Sequence, residues 1–111
     1  MKEADIERHL VKLVKELGGE VRKVQWIGRR GAPDRVVMLP YAIACKLRYH
    51  QAVESNIEPT IWVELKNPET IKTFPANAHE RAQAREHKRM REMGQRVEVI
   101  GTIEQVEELL S

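Results

Sequence analysis

Two acidic residues and one lysine stand at the ends of otherwise apolar runs in this sequence. Asp34 comes just before a run that is apolar from Val36 to Leu39, and Glu64 and Lys66 lie two positions apart in a second run. Because side chains alternate between the two faces of a strand, Glu64 and Lys66 share one face. If the two strands are neighbours, two carboxylates and an ammonium group converge at one end of a sheet.

A convergence of this kind suits a divalent cation. Carboxylates are hard oxygen ligands, of the sort that Mg²⁺ takes together with water and substrate phosphate. A neighbouring lysine can orient or deprotonate a water molecule on the metal, or neutralise charge that develops in the transition state. The spacing alone also permits a plainer interpretation, in which Glu64 and Lys66 form an ion pair on a solvated strand face and Asp34 only caps a turn.

The elements that would position these side chains follow from the pattern of apolar residues. Helical spacing and helix-stop signals predict helices over residues 3–17 and 79–93, and a third that starts at Thr102 with Gln105 in capping-box position. Alternation and apolar runs predict strands over residues 20–26, 35–39, 60–66 and 97–100. Residues 41–59 fit a short helix around 42–53 or a hairpin extension, and residues 67–77 are predicted to be a loop. This order predicts an α/β fold with a small mixed β-sheet flanked by helices.

Length and composition limit the class of protein. The 111 residues fit a single domain over 1–111, whose modest core is compatible with a homo-oligomer. With 32% charged residues and no apolar run near the ~20 residues of a membrane span, the sequence excludes a membrane protein. Cys45 is the single cysteine, which excludes an internal disulfide or a thiolate zinc cluster and favours a cytoplasmic compartment.

The formal net charge of +2 hides two basic segments. Residues 22–35 hold five basic side chains and one acidic one, and residues 79–96 hold six and three. This distribution suits an anionic ligand held on one surface, although ordinary solvated helix faces would also produce it.

Taken in order along the chain, the motifs resemble those of the PD-(D/E)XK nucleases, and more narrowly the virus-type replication-repair nuclease (VRR-NUC) family. The resemblance rests on the sequence Gly-Ala-Pro-Asp-Arg at 31–35, followed by an apolar run and then Trp-Val-Glu-Leu-Lys at 62–66. It extends nearly from end to end, through the opening helix at 3–7, Gly18-Gly19, Lys23, Gln83, His87, Gly94 and the strand at 97–100. It implies a PD-(D/E)XK restriction-endonuclease-like core.

The resemblance also implies a role for each matching residue. Asp34 and Glu64 would coordinate Mg²⁺ or Mn²⁺ with the main-chain carbonyl of Leu65, and Lys66 would be the catalytic lysine. Three further side chains would stand beside this centre. Glu7 matches the acid that the family carries on its first helix, Glu3 is a rival one turn earlier, and Gln83 matches a glutamine beside the site.

The activity implied by the resemblance is metal-dependent hydrolysis of DNA phosphodiesters. Stand-alone family members of this size are phage enzymes that resolve four-way (Holliday) junctions as homodimers, so branched DNA is the expected substrate and the host cytoplasm the expected compartment. Two alternatives remain: a non-catalytic DNA-binding module that retains the fold, or a nuclease specific for flaps, RNA or small phosphoesters. The residues expected to contact DNA are Lys23, Arg29, Arg30, Arg35 and His87.

Several further side chains have a structural interpretation. His87 shares a helix face with Gln83 and could instead border the core. Trp26 and Trp62 are expected to pack in the core or at an edge, and Met90 and Met93 are expected to fill the core. The histidines expected at the surface are His9, His50 and His79. The segment 41–59 is a candidate for part of a dimer contact, or else a lid, through Tyr41, Ile43, Leu47, Tyr49 and Val53.

Overall fold

The computed structural model describes residues 1–47 and 58–111 and shows both helices and strands within them. The helices are α1 Glu3–Glu16, α2 Tyr41–Ala44, α3 Pro68–Thr73, α4 Ala78–Glu92 and α5 Ile103–Leu109. The strands are β1 Glu20–Lys23, β2 Arg35–Met38, β3 Thr60–Leu65 and β4 Val97–Ile100. None of the described helices has the length and apolar character that crossing a membrane requires.

The four strands form one mixed sheet in the order β1-β2-β3-β4. The pairs β1·β2 and β2·β3 are antiparallel, and β3·β4 is parallel. In the β2·β3 pair Arg35 stands opposite Val63, and in the β3·β4 pair Glu64 stands opposite Val99. The prediction of an α/β fold with a small mixed sheet is confirmed.

The apolar core lies between one face of the sheet and the helices α1 and α5. Ile6, Leu10 and Val14 recur every four residues on α1 and are fully buried, which gives the helix one continuous apolar stripe. They belong to one cluster with side chains of the sheet and of α5, namely Val37, Ile61, Val63, Ile100, Val106 and Leu109.

Helix α4 covers the opposite face, and its buried side chains are mostly polar. Glu64 alternates with Val63 along β3, so it points away from the α1 layer and toward α4. The buried residues of α4 are Glu80, Gln83, Glu86, His87 and Met90. The candidate site therefore lies between β3 and a polar helix face.

The structure corrects the prediction that residues 67–77 form a loop, because α3 occupies Pro68–Thr73. The Asn67 side chain accepts hydrogen bonds from the backbone amides of Glu69 (2.9 Å) and Thr70 (2.8 Å). Pro68 is at the first helical position, where its missing N–H costs nothing. Asn67-Pro68 is thus a helix start, whereas proline alone had indicated a loop.

Two expectations about packing are wrong. Met93 follows the last residue of α4 and is 67% exposed, so it is not a core side chain, whereas Met90 is buried as expected. Leu47, expected outside the core as a dimer contact, is buried with Ala44 in the apolar cluster. Tyr41 remains exposed, and Tyr49, Val53 and His50 lie outside the described residues.

Candidate active site

Asp34, which directly precedes β2, is a neighbour of Glu64 on β3. The β2·β3 register pairs Arg35 with Val63, and continuing it by one residue brings Asp34 opposite Glu64. The Asp34 backbone is held on its other side, because its carbonyl accepts a hydrogen bond from the Val24 amide at 2.9 Å. The Glu64 side chain is buried, while that of Asp34 is about half exposed. The two carboxylates thus meet where the sheet opens to solvent.

Lys66 lies on the same side of β3 as Glu64 and is held by α4. Its Nζ donates to Gln83 Oε1 at 2.9 Å and lies 3.4 Å from Glu80 Oε2. The ammonium group is also 5.2 Å from the centre of the Phe74 ring. These contacts fix the lysine and Gln83 on the side of β3 that Glu64 also faces.

Glu80 is a member of this group that the sequence analysis missed. Its Oε1 accepts a hydrogen bond from the Ala76 amide at 2.8 Å. That hydrogen bond, and then the nearby Lys66 ammonium, hold the pKa of the Glu80 carboxyl below its usual value. The signal was present in the sequence, since Glu80 stands three residues before Gln83 and so shares its helix face.

His87 does not have the exposure that a DNA contact requires. Its side chain is fully buried, with Nε2 3.6 Å from Glu64 Oε1 and its ring stacked on Phe74. Neither ring nitrogen has a hydrogen-bond partner among the described residues. The expected DNA contact of His87 is therefore corrected to a place behind Glu64, bordering the core.

The first helix brings two acids to this region, and they have different partners. Glu7 Oε2 accepts a hydrogen bond from Arg35 Nε, and Arg35 Nη1 lies 3.1 Å from Asp34 Oδ2. Arg35 is largely buried in these contacts, so the structure does not present it as a free DNA-binding side chain. Arg35 instead links Glu7 of α1 to Asp34 at the start of β2.

Glu3, one turn before Glu7 on α1, lies in the electrostatic field of the other carboxylates. Partial shielding of its carboxyl from water, and then repulsion by Asp34 and Glu64, raise the pKa of Glu3 above its usual value. Lys66 and Arg35 oppose this shift. Glu3 is therefore close enough to Asp34 and Glu64 to be affected by their charge, and Glu7 is linked to Asp34 through their shared partner Arg35.

The turn at residues 26–31, which we call the basic turn, packs directly on α4. Arg29 Nε donates to Glu86 Oε2 at 2.7 Å, and Arg89 pairs with the other oxygen of Glu86. Gly31 has a φ of +84°, and a Cβ on it would lie 2.8 Å from the Ala82 carbonyl oxygen. No larger residue fits there, so the glycine permits this close approach.

The remaining predicted residues fall into simple groups. Trp26 and Trp62 contact each other with ring centres 5.3 Å apart, as the packing interpretation predicted. Lys23 and Arg30 are exposed, and so is His79. The remaining histidine within the described ranges, His9, is half-buried beside Glu107.

The donor chemistry of this site fits a hard divalent cation. Glu3, Asp34 and Glu64 offer oxygen ligands, and the repulsion of Glu3 by the other two acids is the kind that a cation relieves. Across residues 1–47 and 58–111, however, no three His, Cys, Asp or Glu side chains are close enough together to hold a metal ion. The described residues thus include suitable oxygen ligands, but no three such side chains are already arranged to hold a metal ion.

A solved structure described as a VRR_NUC domain is similar to this chain, with a TM-score of 0.67 and 30% sequence identity. The likeness covers 98% of this chain and 94% of that one. The chain belongs to the VRR-NUC family. Membership confirms the resemblance drawn from the motifs, and with it the α/β fold of the family.

Two further comparisons qualify this assignment. "Putative nuclease p44" of Acyrthosiphon pisum secondary endosymbiont phage 1 is 50% identical over 40 residues, which are 36% of this chain. The match spans 43% of that phage protein, less than half of its length. No family model matches the chain.

The pairing of Glu86 predicts an acid-dependent loss of stability. Hydrogen bonds from Arg29, and then Arg89, hold the pKa of the Glu86 carboxyl below its usual value of 4.5. A lowered pKa in the folded state stabilises the protein above that value, and this contribution is lost as the pH falls below it. We expect wild type to exceed Glu86→Gln in stability at pH 7 and the difference to shrink at about pH 3.5.

Urea unfolding at the two pH values measures this difference. Glu69→Gln is the matched control, because Glu69 is an exposed acid whose ion pair with Lys72 is also exposed. An equal gap between wild type and Glu86→Gln at both pH values would contradict the proposed contribution of the carboxylate.

Proposed function

We propose that this VRR-NUC domain is a metal-dependent nuclease that hydrolyses DNA phosphodiesters. The observation that carries the proposal is the hydrogen bond from Lys66 Nζ to Gln83, which holds an ammonium group on the same side of β3 as Glu64. An ion pair on a solvated strand face would leave the lysine exposed, but the Lys66 side chain is only 13% exposed. The lysine is therefore built into a site.

Mg²⁺ or Mn²⁺ would be held by Asp34, Glu64 and the main-chain carbonyl of Leu65, with Glu3 as the further acid from α1. When bound, the metal supplies charge stabilisation at the phosphoryl group and acidifies the attacking water. Lys66 orients that water or neutralises charge developing on the phosphate, and Gln83 keeps the lysine directed at the site. Glu80, on the same face of α4 as Gln83, balances the charge of Lys66.

Two exposed cations, Lys23 and Arg30, are the side chains we propose to hold the DNA backbone. Neither forms an ion pair with the described residues, unlike Arg29 and Arg35. Contacts of this kind recognise phosphate rather than base sequence, so binding should weaken steeply as salt rises.

The finer part of the proposal concerns the substrate and the assembly. Resolving a four-way junction requires two symmetric cuts, and a twofold dimer presents two equivalent sites to a pseudo-twofold substrate. We therefore propose a homodimer that acts on branched DNA in the cytoplasm of the host cell. Of the residues expected in the dimer contact, exposed Tyr41 and partly buried Ile43 on α2 remain available for it within the described residues.

Substitution of the central residues tests the catalytic proposal. Asp34→Asn and Glu64→Gln should each abolish cleavage of a labelled four-way junction, because each removes an anionic ligand. Lys66→Ala should bind Mn²⁺ as wild type does but lose about 10²–10⁴-fold in rate, the usual contribution of a positioned acid or base. Exposed Lys72→Ala is the matched control, and wild-type turnover by Lys66→Ala would refute the role of the lysine.

The two acids of α1 are separable by metal titration. Calorimetry with Mn²⁺ should show weaker binding to Glu3→Gln than to Glu7→Gln, because Glu3 is repelled by Asp34 and Glu64 and has no ion-pair partner among the described residues, whereas Glu7 is already neutralised by Arg35. Glu7→Gln should instead lower the urea midpoint, since it leaves the largely buried Arg35 without one acidic partner. A stronger loss of Mn²⁺ affinity in Glu7→Gln would reverse the assignment.

Substrate and assembly can be measured together. Sedimentation at micromolar protein should show a dimer, and the labelled junction should show paired cuts on opposite strands that EDTA prevents. Linear duplex, flap and RNA substrates serve as competitors. A monomer that cuts flaps but not junctions would overturn the junction and dimer proposals while leaving the nuclease proposal intact, whereas a dimer that binds but never cuts would support a DNA-binding module.

A further inference from the structure

The tip of the basic turn carries an isoleucine in solvent. Ile27 is 96% exposed, the highest value among the large hydrophobic residues that the structure describes as exposed. A branched aliphatic side chain gains nothing from such a position in the free protein, because its apolar surface stays in contact with water. This position is explained if the side chain is buried in a complex.

The residues on both sides of Ile27 hold the turn firmly. On one side Trp26 Nε1 donates to the Pro33 carbonyl at 2.7 Å, and its ring packs against Trp62. On the other side Arg29 pairs with Glu86, and Gly31 lies against the backbone of α4. The exposure of Ile27 is thus a property of an anchored turn rather than of a loose loop.

The basic residues near Ile27 indicate which class of molecule would cover its side chain. Arg30 follows Ile27 closely in the chain and has no ion-pair partner among the described residues, and the equally unpaired Lys23 precedes Ile27 at the end of β1. A cationic surface attracts phosphate, and proteins that bind DNA often combine such contacts with an aliphatic side chain inserted between base pairs. The turn also leads directly into Asp34, so DNA held at the candidate site would pass beside this tip.

We propose that Ile27 is a wedge that inserts between adjacent base pairs next to the phosphodiester to be cut. The inference rests on the proposed function and adds a residue that determines substrate structure. Separating base pairs is least costly where stacking is already interrupted, as at a branch point. A fixed wedge therefore favours branched over continuous duplex DNA without reading its sequence.

Base unstacking can be measured directly with 2-aminopurine, whose fluorescence rises when it leaves the stack. The probe is placed at the branch point of a four-way junction and, in a second substrate, inside a linear duplex. Each variant carries Lys66→Ala so that the DNA stays uncut during the measurement. At saturating protein, the branched substrate should brighten with Ile27 present, and Ile27→Ser should lose this rise while changing affinity little.

Three matched variants separate insertion from other effects. Ile27→Leu retains an aliphatic tip and should retain the fluorescence rise, and Met93→Ser alters another exposed apolar residue and should leave it unchanged. Arg30→Ala should lower the slope of log affinity against log salt by about 0.9, the value for one phosphate contact on duplex DNA. At saturation its fluorescence should still rise.

The outcomes distinguish the wedge from the proposed nuclease. The wedge proposal is wrong if Ile27→Ser gives the same fluorescence as Ile27, if the fluorescence does not rise with Ile27 present, or if the protein does not bind DNA. It is also wrong if sedimentation shows that Ile27→Ser dissociates a dimer, because the side chain would then belong to the dimer contact. Cleavage is scored separately with Lys66 intact. If the protein cuts DNA but unstacking does not depend on Ile27, the nuclease proposal holds and the wedge proposal fails. If unstacking depends on Ile27 but no DNA is cut, the wedge proposal holds and the nuclease proposal fails.

Discussion

Asp34 meets Glu64 because β2 pairs with β3 antiparallel in one register, with Arg35 opposite Val63. The same register turns Val63 into the fully buried core beneath α1 and turns Glu64 toward α4. A slip of one residue along β3 would bury Glu64 among apolar side chains and expose Val63 to the polar helix. Burial of the apolar face of the sheet therefore fixes the register of β2 against β3. That register in turn places Asp34 next to Glu64.

The buried face of helix α4, which packs against Glu64, carries acids whose charges are matched by cations from other elements. Glu80 and Glu86 are both buried, and each pairs with a cation from outside the helix, Lys66 and Arg29 respectively. Buried carboxylates are tolerated only when such partners compensate the lost hydration. The same two pairs fix the lysine of the site and the basic turn, so one helix face organises both the chemistry and the proposed DNA contact.

Residues whose positions depend on local periodicity were predictable from the sequence. Alternation along β3 gave the shared face of Glu64 and Lys66, and the helical spacing of Gln83 and His87 gave one face of α4. Helical spacing could not separate Glu3 from Glu7, because residues four apart lie on the same face. The choice depends on how α1 crosses the sheet, which is a tertiary property. The same holds for His87, whose polar type suggests a surface role until Phe74 and Glu64 are seen to enclose it.

Basic residues near the site show the same dependence on tertiary partners. The sequence offers Lys23, Arg29, Arg30 and Arg35 as equivalent candidates for phosphate contact. In the fold, Arg29 pairs with Glu86, and Arg35 with Glu7 and Asp34, so these two hold α4 and α1 against the start of β2. If Arg35, which is largely buried, left its carboxylates for a phosphate, Glu7 would lose its charge partner, and if Arg29 did so the buried Glu86 would keep only Arg89. We therefore expect DNA to be bound by exposed cations that have no ion-pair partner among the described residues. One of them, Arg30, lies on the same turn as Ile27.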